Sequence, residues 1–534
     1  MFQIRGDAFD VDEAGNVYVA VDCRSTDFPT TVGAYDRTLG GNKDAVMFKL
    51  SSNGTSLVYS TYIGSDTSGD SPTSLKVDDE GHAYLSCFQT GTAFPTTPGV
   101  VSGNGTTAPG PFTLTKLALD GSSLEFSTYI PANAGGHTDD MWVAPDDSVY
   151  MAGRTGATWM DLGTGSYQNQ SQGGSSEGFV IRVAHDGSDV LNGTFYGGTE
   201  SEIISGILVT ENGDVYVHGG GRSNDLPMTA NAYQGAAGGD YCGFIARFDG
   251  NLTTLIASTY YGQDGGEAPG MDLDSHGNVI ILARTPTDNW PVTSDAYQTR
   301  KKGGADLYIA KFDPDLEDLK YATYFGGSAG DERYAGLTCT EHDEVVITFE
   351  TGSTDLPTTS DAYDMSHNGD SDIFVARFDL QWDLKYGSYL GGSGYDSPAS
   401  NIFHDGNTTI VGMTNSNDYP TTTGAPQRNI AGKIDVVVTR LWTGYPPDLT
   451  PPSAPRNLTA EVNGTRVVLS WDAPSDIGGG PIMGYNIYRG PSETNLTPLP
   501  ISSAFTLYID SPVADGSTYH YAVSAFNIND GNLS

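Results

Sequence analysis

Carboxylates recur along the chain at one register. Asp70, Glu202, Glu267, Glu332 and Asp396 each stand six or seven residues before the middle of a short apolar run, at Val77, Val209, Leu273, Cys339 and Ile402. Hard oxygen ligands converging from several copies of a repeat suit Ca²⁺, which takes about six to eight oxygens, carbonyls and water included. These five are the candidate metal ligands, a calcium ring, and no other cofactor is expected. Asp139 and Asp140 stand slightly out of that register. The rival stretch Asp313-Pro314-Asp315-Leu316-Glu317-Asp318 reads as an ordinary hairpin, because short acidic side chains bond their own turn backbone.

Catalytic patterns are missing. The 9 histidines show no His-Glu-x-x-His spacing, and no Gly-x-Ser-x-Gly elbow occurs. Adjacent carboxylates such as Asp139-Asp140, placed on a loop, make a poor acid–base pair. Four tyrosines, Tyr35, Tyr233, Tyr297 and Tyr363, follow alanine at a fixed register. They could stack on sugar rings, but loop packing explains their recurrence better. Arg5-Gly6-Asp7 is a three-residue coincidence with a cell-adhesion triplet.

Charge narrows the field further. Acids outnumber bases 66 to 26, for a net charge of −40. A nucleic-acid binder needs a basic footprint, and an anionic membrane surface would repel this chain. No apolar run approaches the ~20 residues of a spanning helix, so no membrane insertion is expected. The N-terminus has no apolar signal core. Cys23, Cys87, Cys242 and Cys339 form no Cys-x-x-Cys pair, which excludes a zinc ribbon and leaves the redox compartment open. Asn-x-Ser/Thr sequons stand at Asn53, Asn104, Asn169, Asn192, Asn251, Asn407, Asn457, Asn463, Asn495 and Asn532, an excess that favours an exported glycoprotein.

One theme reveals the elements that carry these residues. Phe28-Pro29-Thr30 recurs as Phe94-Pro95-Thr96, Leu226-Pro227-Met228, Trp290-Pro291-Val292, Leu356-Pro357-Thr358 and Tyr419-Pro420-Thr421. A divergent copy around Trp159-Met160-Asp161-Leu162 fills the double gap, so there are seven copies. Three further series keep the same step: Asn16-Val17-Tyr18-Val19-Ala20, Ala45-Val46-Met47-Phe48-Lys49 and Ser60-Thr61-Tyr62-Ile63-Gly64, with their later counterparts. Alternation, aromatic and β-branched enrichment and flanking turns all predict strands. Each copy holds four, called a to d, such as Ser74–Asp78, His82–Cys87, Phe112–Leu119 and Leu124–Ile130. Four antiparallel strands repeated seven times predict a seven-bladed β-propeller. Tandem sandwiches would need about a hundred residues per unit.

The string Gly326-Gly327-Ser328, then Asp-x-x-Gly-Asn-Val-Tyr-Val, Asp-Phe-Pro-Thr-Thr-x-Gly-Ala-Tyr and Asp-x-Phe-Val-Ala-Arg-Phe-Asp resembles the seven-bladed β-propeller repeat family of bacterial and archaeal surface proteins. The resemblance covers residues 1–442 and implies an extracellular setting; it carries no catalytic motif. The third copy departs from it, lacking the proline and inserting Trp159 to Gly174. The Ser-x-Asp-x-Gly-x-x-x-Trp boxes of sialidase propellers are missing. The tryptophans Trp142, Trp159, Trp290, Trp382, Trp442 and Trp471 do not recur at the period a quinoprotein would need. Residues 443–455, with five prolines, read as a stiff linker. Residues 456–534 resemble a fibronectin type III domain, a β-sandwich, through Trp471, Tyr485, Tyr488 and Tyr519-His520-Tyr521. Trp471 is expected in its core and Tyr519 at its tyrosine corner.

Both ends look cut. The strand d that should precede strand a near Ala8 falls before Met1, so the last blade is expected to lack its fourth strand. The fibronectin-like module stops before a final strand. The a–b and c–d turns are short, and the b–c and d–a loops are long, which puts the variable surface on one face. The resulting expectation is a non-catalytic extracellular or cell-surface scaffold, an adhesion or interaction module of a larger secreted glycoprotein. Its partner would be a protein or glycan at the long-loop face. The alternatives are a carbohydrate-binding, lectin-like propeller and then a propeller hydrolase or lyase.

Overall fold

The computed structural model describes residues 8–67, 69–89, 93–101, 112–132, 135–263, 267–329, 332–444, 452–475, 482–492, 494–503, 506–514 and 516–527. Contacts divide the chain after Thr443. In the first unit each copy folds as one antiparallel sheet; six have four strands in chain order and the seventh has three. The second copy runs Asp70–Val77, Ala83–Gln89, Phe112–Leu117 and Leu124–Tyr129, and the seventh Asp396–His404, Asn407–Thr414 and Asp435–Trp442. Neighbouring copies touch through strand a, which is therefore innermost. The last copy packs on the first, where Ile402, Met413 and Val436 meet Val19, Val21 and Phe48. Arg440 seals that seam by donating to the Ser52 and Gly15 carbonyls at 2.8 and 2.7 Å. The unit is a seven-bladed β-propeller whose last blade has three strands among the described residues. None of those residues is helical, so no helix there is long and apolar enough to cross a membrane.

Strand a begins about a turn earlier than its alternation predicts. In blade 2 it starts at Asp70, and a bulge between Pro72 and Ser74 restores the register. Such an extra residue breaks the period of two and re-aims the side chains beside it. Comparable shifts lie at Ala152/Gly153, Ile204/Gly206, Arg333/Gly336 and Pro398/Ser400.

The proline motif marks a strap. The amides before the prolines, those of Phe94, Leu226, Trp290 and Leu356, donate to the hydroxyls of Tyr129, Tyr260, Tyr324 and Tyr389 on strand d, at 2.8–3.1 Å. Beyond the proline the loop runs beside strand d, with Thr31 N to Ser60 O at 3.2 Å and Tyr62 N to Asp36 O at 3.0 Å. It thereby covers an edge that would otherwise invite pairing. The strap ends on the next blade, where the Tyr35, Tyr167 and Tyr233 amides donate to the Gly121, Leu252 and Leu316 carbonyls of c–d turns. Contrary to the expectation drawn from their length, the b–c loops do not stay on the face where they start. Their backbone finds partners down the rim, and they tie blade to blade. In blade 3 both ends of the proline bond change together: Phe195 stands in the tyrosine register, and the strap, without proline, buries Met160.

Tyr260 also donates to the Ser223 carbonyl at 2.8 Å and is buried. Tyr260→Phe strands both backbone groups, and an expected loss of about 1–3 kcal/mol is read by urea unfolding.

The second unit is a sandwich of two three-stranded sheets. Trp471 is buried with Leu469 and Ile487 and meets Tyr485 edge-on at 5.3 Å. The Tyr519 hydroxyl accepts from the Ala514 amide at 3.4 Å, the bond expected of a tyrosine corner. Residues 445–451 of the linker, and Met1 to Asp7 with the Arg-Gly-Asp triplet, lie outside the described residues. No disulfide joins the four cysteines.

Candidate functional site

The predicted calcium ligands sit at the starts of the a strands, on the face where strand b ends. Asp70, Glu202, Glu332 and Asp396 are fully buried; the side chain of Glu267 lies outside the described residues. Each of the four accepts bonds from the turn just before it. Ser65 N reaches Asp70 Oδ2 at 2.7 Å, Gly198 N reaches Glu202 Oε2 at 2.9 Å, Gly327 N reaches Glu332 Oε1 at 3.1 Å and Gly392 N reaches Asp396 Oδ2 at 2.7 Å. Burial raises all four, Glu332 to about 7. Among the described residues no three His, Cys, Asp or Glu side chains are grouped to hold one ion. The structure therefore does not bring these carboxylates together as one ring; each lies at a separate seam between blades. The Asp313 turn is the hairpin expected, its Oδ1 accepting from the Glu317 and Asp318 amides at 2.8 and 3.0 Å.

Strand a lines the channel with other acids. Asp10, Asp140 and Asp272 each accept from an amide of the next blade, those of Val77, Ile207 and Cys339, at 2.8, 3.0 and 2.7 Å. Lys76 lies 3.5 Å from Asp140. Burial raises Asp10 and pushes Asp272 up to about 6, and the Lys76 ammonium opposes both shifts. These groups stitch blades 1 to 2, 3 to 4 and 5 to 6. Asp140 thus belongs to a strand, not to the loop its sequence predicts.

Above them, on the same face as the strand b ends, opens a cavity of about 510 Å³ lined by Arg154, Arg284, Arg333, Tyr241, Tyr334 and Asp139. Arg154 and Arg284 occupy the same register, next to last in strand b, each followed by a threonine. Arg284 Nε donates to the Glu332 carbonyl at 2.8 Å, and Arg333 Nε lies 3.2 Å from the buried Glu350. The half-buried Arg154 side chain has no hydrogen-bond or ion-pair partner among the described residues. Tyr334 holds a left-handed φ of 48° inside the Arg333/Gly336 bulge. Such strain in a bulky residue persists only where the surroundings impose it, and it collects at sites that bind. Tyr241 lies against Gly220, where an added Cβ would come within 2.7 Å of its ring. Asp139, the extra residue of the blade 3 bulge, is aimed into the opening and lies 3.0 Å from His137 Nδ1.

Sequence reasoning missed these arginines. A signal existed: in Gly153-Arg154-Thr155 and Ala283-Arg284-Thr285 the residue before a recurring threonine is basic, where Glu350 and Met413 stand in other copies. The recurring tyrosines serve the strap instead. Tyr233 packs on Phe312 at 5.4 Å, and Tyr297 on Phe325 and Phe378 at 5.9 and 5.6 Å.

Comparison with known proteins adds the second unit's family. The chain matches the fibronectin type III domain over residues 453–534. Residues 453–534 are a fibronectin type III domain. Exoglucanase B of Cellulomonas fimi is 34% identical over 131 residues, 24% of this chain and 11% of that protein, so this chain spans about a tenth of it. Similar solved structures include a polysaccharide lyase of family PL25, an ulvan lyase (9% identity, TM-score 0.41, covering 83% of this chain and 93% of that one). The NanB sialidase of Streptococcus pneumoniae is another (10%, TM-score 0.38, covering 65% of each). A third is the phage phi92 endosialidase (10%, TM-score 0.37, covering 94% and 77%). At these identities and TM-scores the likeness says nothing of activity. The fibronectin type III domain has its own core, and the residues lining the arginine-rich opening all precede Thr443.

Proposed function

We propose that the chain is a non-catalytic adhesion or interaction module of an extracellular or cell-surface protein, and that its propeller binds an acidic saccharide at the arginine-lined mouth. The observation that carries this is the gathering of three arginines in one cavity of a chain with net charge −40. Guanidinium groups pair in bidentate fashion with carboxylate and sulfate, and the Arg154 side chain has no partner among the described residues. Tyr241 and Tyr334 supply ring faces for sugar stacking, and a concave site with a few polar groups is where small ligands bind. The acidity elsewhere disfavours a long polyanion lying across the face. An end or branch with one or two acidic groups fits best.

The outside location is supported by the fibronectin type III domain, the exoglucanase relative, and sequon asparagines such as Asn53, Asn169 and Asn251 at exposed positions. The resemblance of the repeats to surface proteins points the same way. A glycan array on the full chain is expected to show binding to uronate- or sulfate-bearing saccharides and none to their neutral counterparts. Binding to neutral glycans alone overturns the reading.

A second reading, a lyase or hydrolase on the same acidic sugars, draws on the His137–Asp139 pair beside the opening, which is placed to take a proton. Release of unsaturated or reducing ends by the wild type, lost in Asp139→Asn, would establish it in place of simple binding.

A further inference from the structure

The seams between blades hold a second set of acids that the sequence did not single out. Strand c begins with Asp44 in blade 1, Glu177 in blade 3, Asp306 in blade 5 and Asp372 in blade 6. Each faces the carboxylate at the start of strand a in the following blade: Asp70, Glu202, Glu332 and Asp396. A glycine just past strand d lies against each seam. A Cβ on Gly197 would sit 1.9 Å from Glu177 Oε1 and 2.7 Å from Glu202 Oε2; one on Gly391 would sit 2.7 Å from Asp372 Oδ1 and 2.9 Å from Asp396 Oδ2. At Gly64 and Gly326 the same point lies 2.5 Å from Asp44 Oδ1 and 2.8 Å from Asp306 Oδ2. Both carboxylates of a pair thus meet the side-chain-free notch at Gly197 and Gly391, and the strand c acid meets it at Gly64 and Gly326.

All eight carboxylates are at most 1% exposed, and none lies in a salt bridge among the described residues. Loop amides cap one oxygen of the strand c acids: Gly40 N to Asp44 Oδ2 at 2.7 Å, Gln172 N to Glu177 Oε2 at 2.9 Å and Asn368 N to Asp372 Oδ2 at 2.9 Å. In these three the other oxygen is left over, whereas Asp306, Glu202 and Asp396 have both oxygens bonded. Asp44 Oδ1, Asp70 Oδ1, Glu177 Oε1, Glu332 Oε2 and Asp372 Oδ1 are buried without a hydrogen-bond partner. Buried acceptors are rarely orphaned, and two adjacent carboxylates in a low-dielectric seam repel strongly. Neutralising both requires two positive charges.

We propose that each of these four seams binds a calcium ion between its paired carboxylates, so that the ions clasp blade 1 to 2, 3 to 4, 5 to 6 and 6 to 7. Calcium accepts irregular sets of oxygens, carbonyls among them, and needs no rigid octahedron. The seam between blades 2 and 3 is the internal contrast. There Phe112 takes the place of the strand c acid, Gly136 faces it, and the ring stacks on Phe179 at 5.3 Å. That seam is apolar and needs no ion. The clasps use other side chains than the arginine-lined mouth, and the two meet at Glu332, whose carbonyl accepts from Arg284.

The test uses the full chain, stripped with a chelator, dialysed against calcium or against sodium chloride of equal ionic strength, and assayed for bound metal and thermal unfolding. Close to four calcium ions per chain are expected, with a melting temperature several degrees higher in calcium than in sodium. Asp372→Asn together with Asp396→Asn, two amides that can bond one another, is expected to release one ion. Absence of bound calcium with equal melting in both salts overturns the proposal. So does a double variant that melts higher than the wild type while calcium affects neither, since a shared proton would then hold each pair.

Discussion

Glu344→Ala is expected to destabilise the propeller by about 3–5 kcal/mol, because it leaves a guanidinium buried without its counter-charge. Arg377 is among the largest fully buried side chains. Its Nη1 pairs with Glu344 Oε2, and its Nε donates to the Thr443 carbonyl at the end of the last blade. The same strand c register holds a cation in every blade; its acid partner is as deeply buried in some, as Asp274 is beside Lys311, but lies at the surface in blade 3. Asp146, which pairs with Arg182 at 2.6 Å, is 60% exposed, and such surface pairs contribute about 0–1 kcal/mol. Asp146→Ala is therefore the control. Replacing Glu344 and Arg377 together by apolar residues of similar volume should restore most of the loss. Guanidinium unfolding of the four proteins measures this. Equal losses from Glu344→Ala and Asp146→Ala would contradict the burial argument.

A second large effect lies in acid. Burial lowers His218 to about 4; its Nδ1 has no hydrogen-bond partner and its ring crowds Gly206. In the unfolded chain the ring titrates near its ordinary 6.5. A depressed folded value means that the contribution is fully present above the unfolded pKa. It is lost as pH falls from about 6.5 toward 4, a total of about 3 kcal/mol. Blade 5 shows the apolar solution: Leu282 pairs with Gly270 as His218 pairs with Gly206. His218→Leu should therefore remove this loss, and the difference in stability between variant and wild type should widen by about 3 kcal/mol between pH 7 and pH 4. Other groups titrate in both proteins and cancel. A constant difference across that range would show that the ring is solvated before the chain unfolds.

The blades were legible because strands b, c and d keep their alternation and the strap keeps its proline. Strand a was only half legible, since the bulge at Pro72/Ser74 or Arg333/Gly336 breaks the period just where the channel mouth begins. That the last blade has three strands among the described residues followed from counting, and Asp435–Trp442 is its less buried edge. Of the seam acids, the strand a series showed in the sequence as a register. Asp44, Glu177, Asp306 and Asp372 hid inside the strand c motif, where an acid before Phe-Val-Ala-Arg reads as a strand boundary. Pairing across a seam joins residues of different copies, about 25 positions apart, and no pattern within one copy reports it. The arginine-lined mouth escaped for the same reason: Arg154, Arg284 and Arg333 come from three blades and meet only through the closure of the ring.

The most direct measurement is calorimetric titration of a short uronate-bearing oligosaccharide into the wild-type chain and into Arg154→Gln. The Arg154 side chain bonds to no other described residue, so its loss should leave the fold and the melting temperature unchanged. The expected result is saturable binding to the wild type, weakened at least about tenfold in the variant, as removal of one charge-assisted contact implies. Equal affinities in the two proteins, or no heat from the wild type with either uronate- or sulfate-bearing saccharides, would contradict the account.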